Sequence, residues 1–290
     1  MSETRVGFVG LGRMGTLMAA NLAAGGFDLA VYNRTREKAE AFAKAHGVRV
    51  TGSLAELAST TDVIVTMLAD GEALASVLDQ AEPGIRAGSV AIDMGTSGTK
   101  AVAAVRRRLE SKGALLVDAP VSGSTPAAEA ASLLIMVGAT PESFAAVSPL
   151  LEAMGRPELV GPPGAGAALK LTVNSILYAL NQAFAEGVAL AEASGVTPAT
   201  TQDVVARSAA GAPLISYRKP QYLDPEHSPV TFTLNLSAKD LDLTLAAAAA
   251  AGVPMPQLER TMETVQGLIA AGHGDRDMGF VVEAARRASS

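Results

Sequence analysis

Two hydrophobic rhythms divide the chain. Through the first 160 residues, short and almost unbroken apolar runs recur: Val6–Val9, Leu29–Tyr32, Val63–Met67, Val90–Ile92, Ala114–Val117 and Leu133–Val137. Runs of this length without polar alternation predict strands covered on both faces, as in a mostly parallel sheet. Between them Arg36–Ala45, Thr99–Lys112 and Pro141–Met154 have helical spacing. The last starts with Thr140 as N-cap, Pro141 at the first position and Glu142 in the first turn. After Gly161-Pro162-Pro163-Gly164 almost only helical periodicity remains, over roughly 165–194, 198–209, 236–251, 256–271 and 277–288. Gly195 and Gly252 stand where helices end, and Pro198 follows Thr197 as a helix start. The pattern predicts an α/β domain over residues 1–163 and an all-helical domain over 164–290.

The first strand runs into Gly10-Leu11-Gly12-Arg13-Met14-Gly15 and then an apolar helix, Leu17–Ala24. Alone, G-x-G-x-x-G says little; between a strand and a helix it is the dinucleotide-binding turn of a Rossmann-type domain. Gly10 serves the tight turn, Gly12 lets the backbone approach a pyrophosphate, and Gly15 lets helix and strand pack closely. The helix N-terminus then offers N–H donors to the phosphates. All six residues of the turn are candidate cofactor contacts. The second strand ends in Tyr32-Asn33-Arg34-Thr35, where an NAD enzyme usually carries Asp or Glu for the ribose hydroxyl. Asn33, Arg34 and Thr35 offer a guanidinium and a hydroxyl instead, which suit a 2′-phosphate. The expected cofactor is NADPH/NADP+.

The stretch Gly164–Ser175, GAGAALKLTVNS, contains a single charge, Lys170. Around it Leu169, Leu171, Val173, Ile176 and Leu177 have the apolar spacing of a buried helix, where an unpaired ammonium is costly. Lys170 and Asn174 are four apart and share a helix face. Asn181, eleven beyond the lysine, returns to nearly the same azimuth. A polar stripe aimed at a ligand cleft is the expectation.

Composition removes alternatives. There is no cysteine, so disulfides, thiolate metal sites and cysteine nucleophiles are excluded. His46, His227 and His273 lie far apart without metal-ligand spacing, and no G-x-S-x-G elbow marks a serine hydrolase. No metal is expected. The net charge of −6 and scattered basic residues argue against nucleic acid as a partner; the densest run, Arg106-Arg107-Arg108, complements a helix C-terminus. No segment has the length and purity of a membrane span, and the N-terminus lacks a signal-peptide layout, so a cytoplasmic protein is expected.

Four separated motifs give a resemblance that covers essentially the whole chain. They are Gly7–Gly15, then Asp118-Ala119-Pro120-Val121-Ser122-Gly123, then Gly164-x-Gly166-x3-Lys170-x3-Asn174, then Phe232 followed by Lys239-Asp240. In that order they resemble the β-hydroxyacid dehydrogenase family, whose best-known member is 3-hydroxyisobutyrate dehydrogenase. Ser122-Gly123-Ser124 with Glu129, Lys170-Leu171 before Asn174-Ser175, and Phe184-x-Glu186-Gly187 are more similar to its glyoxylate and succinic semialdehyde reductase branch. Pro126, Ala130 and Ala131 depart from that pattern, one of them from a glycine.

The resemblance implies a helical second domain like the C-terminal domain of 6-phosphogluconate dehydrogenase, and a homodimer or homotetramer formed through it. It implies reduction of a small carboxylate-bearing aldehyde, with Lys170 as general acid and Asn174 beside it. Thr96, Ser122 and Gly123 would receive the substrate carboxylate, Thr96 also meeting the cofactor. Met67 and Leu68 would pack on the cofactor, Lys239 would reach it, and Phe232 and Asp240 would line its nicotinamide end. Three readings compete: a 3-hydroxyisobutyrate or tartronate semialdehyde-type dehydrogenase, an imine reductase, and a non-catalytic NADPH-binding module. Imine reductases generally carry Asp or Tyr where Lys170 stands, and a binding module needs no lysine there.

Overall fold

The computed structural model describes residues 4–288; positions 1–3 and 289–290, the outer ends of the two expected domains, lie outside the described residues. The chain divides into two compact units, Met1–Lys170 and Leu171–Ser290.

The first unit holds a sheet of β1 (Arg5–Val9), β2 (Asp28–Tyr32), β3 (Arg49–Val50), β4 (Val63–Thr66), β5 (Val90–Asp93), β6 (Leu115–Asp118), β7 (Val121–Ser122), β8 (Leu133–Gly138) and β9 (Gly155–Gly161). Their spatial order is β3-β2-β1-β4-β5-β6-β8-β7, with β9 also paired to β8. From β3 to β6 every pairing is parallel; β8 runs antiparallel to β6 and β7 and parallel to β9. The chain builds outward from β1 through β2 to β3, then restarts at β4 on the other side of β1. That reversal is the switch point outside which doubly wound sheets bind ligands.

Strand alternation sorts side chains onto two buried faces. Val6, Phe8, Val65, Ile92 and Val117 pack with Met18 and Leu22 of α1 (Arg13–Ala24), Phe42 of α2 (Arg36–His46) and Leu150 of a helix over Pro141–Glu152. Val9 and Ile64 meet Leu54 and Leu57 of α3 (Leu54–Thr60) on the opposite face. There too Ala91 and Leu116 meet Leu74 and Leu78 of α4 (Gly71–Ala81) and Val102, Val105 and Leu109 of α5 (Thr99–Glu110). With both faces covered, the strands read as apolar runs.

A short α6 (Thr125–Glu129) and α7 (Pro141–Glu152) complete the first unit's covering, and α8 (Ala165–Ala193) is one continuous helix across the unit boundary. The second unit is helical: α9 (Pro198–Arg207), α10 (Pro213–Tyr217), α11 (Lys219–Leu223), α12 (Leu234–Ala250), α13 (Pro256–Leu268) and α14 (Val281–Ala288). Its core gathers Tyr178, Phe184, Ile215, Tyr222, Leu241, Met262 and Phe280.

Some elements escape the hydrophobic pattern. Strand β9 reads Gly-Arg-Pro-Glu-Leu-Val-Gly, and its proline is tolerated because β9 pairs on one side only. The helical rhythm expected over 256–271 breaks into a π turn, Ile269–His273, where Gly272 turns left-handed (φ 87°). The last expected helix starts with a 3-10 turn, Met278–Phe280. No helix among the described residues is long and apolar enough to cross a membrane.

Candidate active site

The glycine turn sits at the carboxyl end of β1, and each glycine has its own geometric reason. Gly10 is left-handed (φ 101°), and a side chain there would strike the Met67 carbonyl and the Leu68 side chain. A β-carbon at Gly15 would collide with the Gly10 carbonyl oxygen, so helix and strand approach only because it is absent. Gly12 has open space where a β-carbon would stand, directly at the N-cap of α1. Open space beside first-turn N–H groups that lack helical partners suits a pyrophosphate. Met67 and Leu68 are half-buried against this turn.

Asn33 joins the turn to the end of β2. Its Oδ1 accepts from Leu11 N–H at 2.9 Å, and its Nδ2 donates to the Thr35 carbonyl at 2.9 Å. A carboxylate could make the first bond but not the second. Arg34 and Thr35 are exposed, and the Thr35 hydroxyl makes no capping bond although Thr35 begins α2. Arg36, by contrast, is taken up by Glu40 at 2.8 Å. The residues present therefore fit a dinucleotide.

The substrate motif begins with Asp118, which is 1% exposed. Its Oδ1 accepts from Gly164 N–H at 2.6 Å and its Oδ2 from Ala167 N–H at 2.9 Å, so it caps the start of α8. Burial pushes this carboxyl above the ordinary aspartate range, while the two N–H bonds pull it back down. Gly164 is left-handed (φ 100°), and a β-carbon at Gly166 would run into the Met136 and Asp118 carbonyl oxygens. The glycines of the lysine motif thus seat the helix on the motif that contains Ser122. Ser122 is half-buried at the end of β7; Gly123, left-handed with φ 140°, is exposed. Thr96 is half-buried in the loop after β5.

Lys170 is partly buried on the second turn of α8, with Asn174 one turn further on. The helix is not buried all round: Leu171 is 3% exposed, but Leu169 is 37% and Ile176 65% exposed. In the second unit Asn174 Nδ2 donates to Asp240 Oδ2 at 2.9 Å. The Tyr178 hydroxyl donates to the same oxygen at 2.8 Å. Lys239 Nζ lies 2.7 Å from the other oxygen, a close ion pair whose alignment falls short of a hydrogen bond. Asp240 is 2% exposed and already surrounded by these groups, so the structure gives it internal partners where a substrate contact is expected.

Asn181 departs from the expected stripe. Its Nδ2 donates to the Met278 carbonyl at 3.0 Å and its Oδ1 accepts from the Tyr222 hydroxyl at 2.7 Å. Same azimuth did not mean same surroundings: Tyr222 and Met278 occupy both ends of the Asn181 amide. Phe232 is half-buried, and its N–H donates to Asp277 Oδ2 at 3.1 Å. Asp277 also accepts from Thr231 and forms a buried ion pair with Arg218.

In comparisons with known proteins, two family models match successive stretches of the chain. A family model described as the NAD binding domain of 6-phosphogluconate dehydrogenase matches residues 5–161. One described as the NAD-binding region of NADP-dependent 3-hydroxyisobutyrate dehydrogenase matches residues 164–285. The chain belongs to the 3-hydroxyisobutyrate dehydrogenase family. It is therefore an NAD(P)-dependent oxidoreductase of the β-hydroxyacid dehydrogenase type. Glyoxylate/succinic semialdehyde reductase 2, chloroplastic, of Arabidopsis thaliana is 32% identical over 294 residues, covering 100% of this chain and 82% of the relative. Glyoxylate/succinic semialdehyde reductase 1 of the same plant is 33% identical over 285 residues, covering 97% and 98%. The solved structure of 3-hydroxyisobutyrate dehydrogenase from Mycobacterium tuberculosis with L-serine has a TM-score of 0.88 at 31% identity, covering 98% of this chain and all of the other.

One of the three departures after Ser124 has a structural counterpart. Ala131 is the one non-glycine residue with positive φ (49°) among the described residues, which places an alanine where the backbone asks for glycine. Sequence reasoning missed Asp118, Tyr178 and Asp277. The first heads the Asp118–Gly123 motif, in which only Ser122 and Gly123 were given roles. Tyr178 lies eight residues past Lys170, so the face rule that found Asn174 reaches it too. Asp277 caps the turn that follows it by accepting from Gly279 N–H, but Phe232, Thr231 and Arg218, its other partners, lie 45 to 59 residues away.

Proposed function

We propose that this protein is an NADPH-dependent reductase of small carboxylate-bearing aldehydes such as glyoxylate or succinic semialdehyde, working reversibly as a β-hydroxyacid dehydrogenase. The observation that carries this reading is Lys170 on α8, partly buried, one turn before an Asn174 whose amide is held by Asp240. NADPH, when bound, supplies hydride to the carbonyl carbon. The Lys170 ammonium stabilises the oxygen as negative charge develops there and delivers its proton, and in the reverse direction the amine takes it back. Asn174 donates Nδ2 to Asp240, so its Oδ1 presents on the opposite side of the amide, where it can hold the ammonium or the substrate hydroxyl. The Ser122 hydroxyl, the Gly123 N–H and the Thr96 hydroxyl would receive the substrate carboxylate. Exposed Arg34 and Thr35 would take the 2′-phosphate, Met67, Leu68, Thr96 and Lys239 would complete cofactor binding, and Phe232 would line the nicotinamide end. The protein would act in the cytoplasm as a homodimer or homotetramer assembled through the helical domain; Leu169, Ile176 and Leu190, exposed along one side of α8, support the assembly.

The test is NADPH oxidation with glyoxylate, succinic semialdehyde, methylmalonate semialdehyde, tartronate semialdehyde, their esters, neutral aldehydes and a cyclic imine. Glyoxylate or succinic semialdehyde should lead, and esterification should remove most of kcat/KM. Neutral aldehydes or the imine reduced as fast as the acids would overturn the proposal.

A further inference from the structure

We infer that Tyr178 is a positioning residue for this reaction, acting through Asp240 on Asn174. The inference rests on the reading above, in which Lys170 and Asn174 serve the chemistry. Lys170, Asn174 and Tyr178 follow one another at intervals of four on α8, so they share one face. Tyr178 is 4% exposed, and its ring is part of the second unit's core. Its hydroxyl has one fixed place, because a packed aromatic ring leaves the oxygen no other position.

That oxygen donates to Asp240 Oδ2, the same atom that accepts from Asn174 Nδ2. Two donors converging on one oxygen hold the carboxylate against rotation, with Lys239 drawing on the other oxygen. The tyrosine keeps its proton and remains a donor, since burial, and then the Asp240 charge, push its pKa well above the ordinary value. Without the hydroxyl, the carboxylate can turn towards Lys239, and the Asn174 amide turns with it. The carbonyl oxygen of Asn174 then leaves the orientation it needs beside Lys170. A tyrosine that merely filled the core would find any nearby acceptor. This one shares its acceptor with the amide of the proposed site.

The test is steady-state kinetics of the full-length Tyr178→Phe protein with glyoxylate and succinic semialdehyde, beside Asn174→Ala and the double variant. Phenylalanine keeps the ring and removes only the donor. We expect kcat to fall about tenfold, with KM for NADPH unchanged and the melting midpoint little altered. In the Asn174→Ala background the same change should have no further effect on kcat, because the amide it positions is gone. Incorporating 4-aminophenylalanine at residue 178 restores a donor at the ring's end and should recover most of the loss, which keeps the test valid if the Phe protein folds poorly. Parental kcat in Tyr178→Phe, an undiminished loss in the Asn174→Ala background, or no recovery with 4-aminophenylalanine would overturn the inference. Parental kcat in both Lys170→Ala and Asn174→Ala would instead overturn the functional reading beneath it.

Discussion

Lysine 170 is the only cation on α8; the helix's two carboxylates, Glu186 and Glu192, stand near its far end. An ammonium that must deliver and recover a proton cannot be replaced by a group that never releases one. Lys170→Ala should lower kcat by roughly 10²–10⁴, the span of a general acid–base group, while NADPH affinity hardly changes. Lys170→Arg should not restore turnover, because guanidinium keeps its proton far above neutral pH. Single-turnover measurements at saturating cofactor decide this, and near-parental rates in the Ala protein would make the lysine structural. At this scale the sequence was informative wherever spacing alone fixes a relation. The turn glycines and the four-residue spacing of Lys170 and Asn174 on one helix are of that kind. It was silent on Asp240 as the partner of Asn174, since the two are 66 residues apart and only the packing of α12 on α8 brings them together. It misjudged Asn181 for the same reason: azimuth is local, but what covers a helix face is not.

At the scale of elements, α8 begins on a buried carboxylate. Burial holds Asp118 above the ordinary range, so the folded protein binds that proton more tightly than the unfolded chain does. Its contribution to stability is fully present below the unfolded value of about 3.9, and is lost as pH rises through the raised folded value. Asp118→Asn cannot titrate. The urea midpoint of the parent, relative to this variant, should fall as pH rises from about 4 towards neutrality. A difference that stays constant with pH would show that Asp118 is not held above its ordinary range. The strands facing two cores were legible as apolar runs, and helices were legible from caps such as Thr140 and Thr197. The two-residue β3 and β7 and the five-residue α10 and α11 were not, because elements that short draw their stability from neighbours rather than from periodicity; β9, seven residues long, was not because Gly-Arg-Pro-Glu interrupts its apolar run.

At the scale of the whole molecule, 23 basic residues against 29 acidic ones give a net charge of −6. An anionic cofactor therefore gains nothing from the overall field, and attraction must be local; the same holds for the carboxylate-bearing substrate proposed above. If exposed Arg34 holds the 2′-phosphate, NADPH should be used at least about tenfold more efficiently than NADH, a difference near 1.4 kcal/mol. Screening reaches such a pair easily, since the Debye length falls from about 10 Å at 0.1 M salt to about 3 Å at 1 M. Added NaCl should raise KM for NADPH more than for NADH, and Arg34→Ala should abolish both the preference and its salt dependence. Equal use of the two cofactors by the parent would remove Arg34 from this role.

The boundary between the compact units falls after Lys170, inside α8, whereas the Gly161–Gly164 linker precedes both Lys170 and Asn174. This bears on how such genes can recombine. A crossover in the linker passes Lys170 and Asn174 to the offspring together, from one parent. A crossover at the boundary of compactness joins a lysine from one lineage to an asparagine, and to the Tyr178 and Asp240 behind it, from another. Under the proposed function, heredity of the chemistry therefore follows the glycine–proline linker rather than the boundary between the compact units.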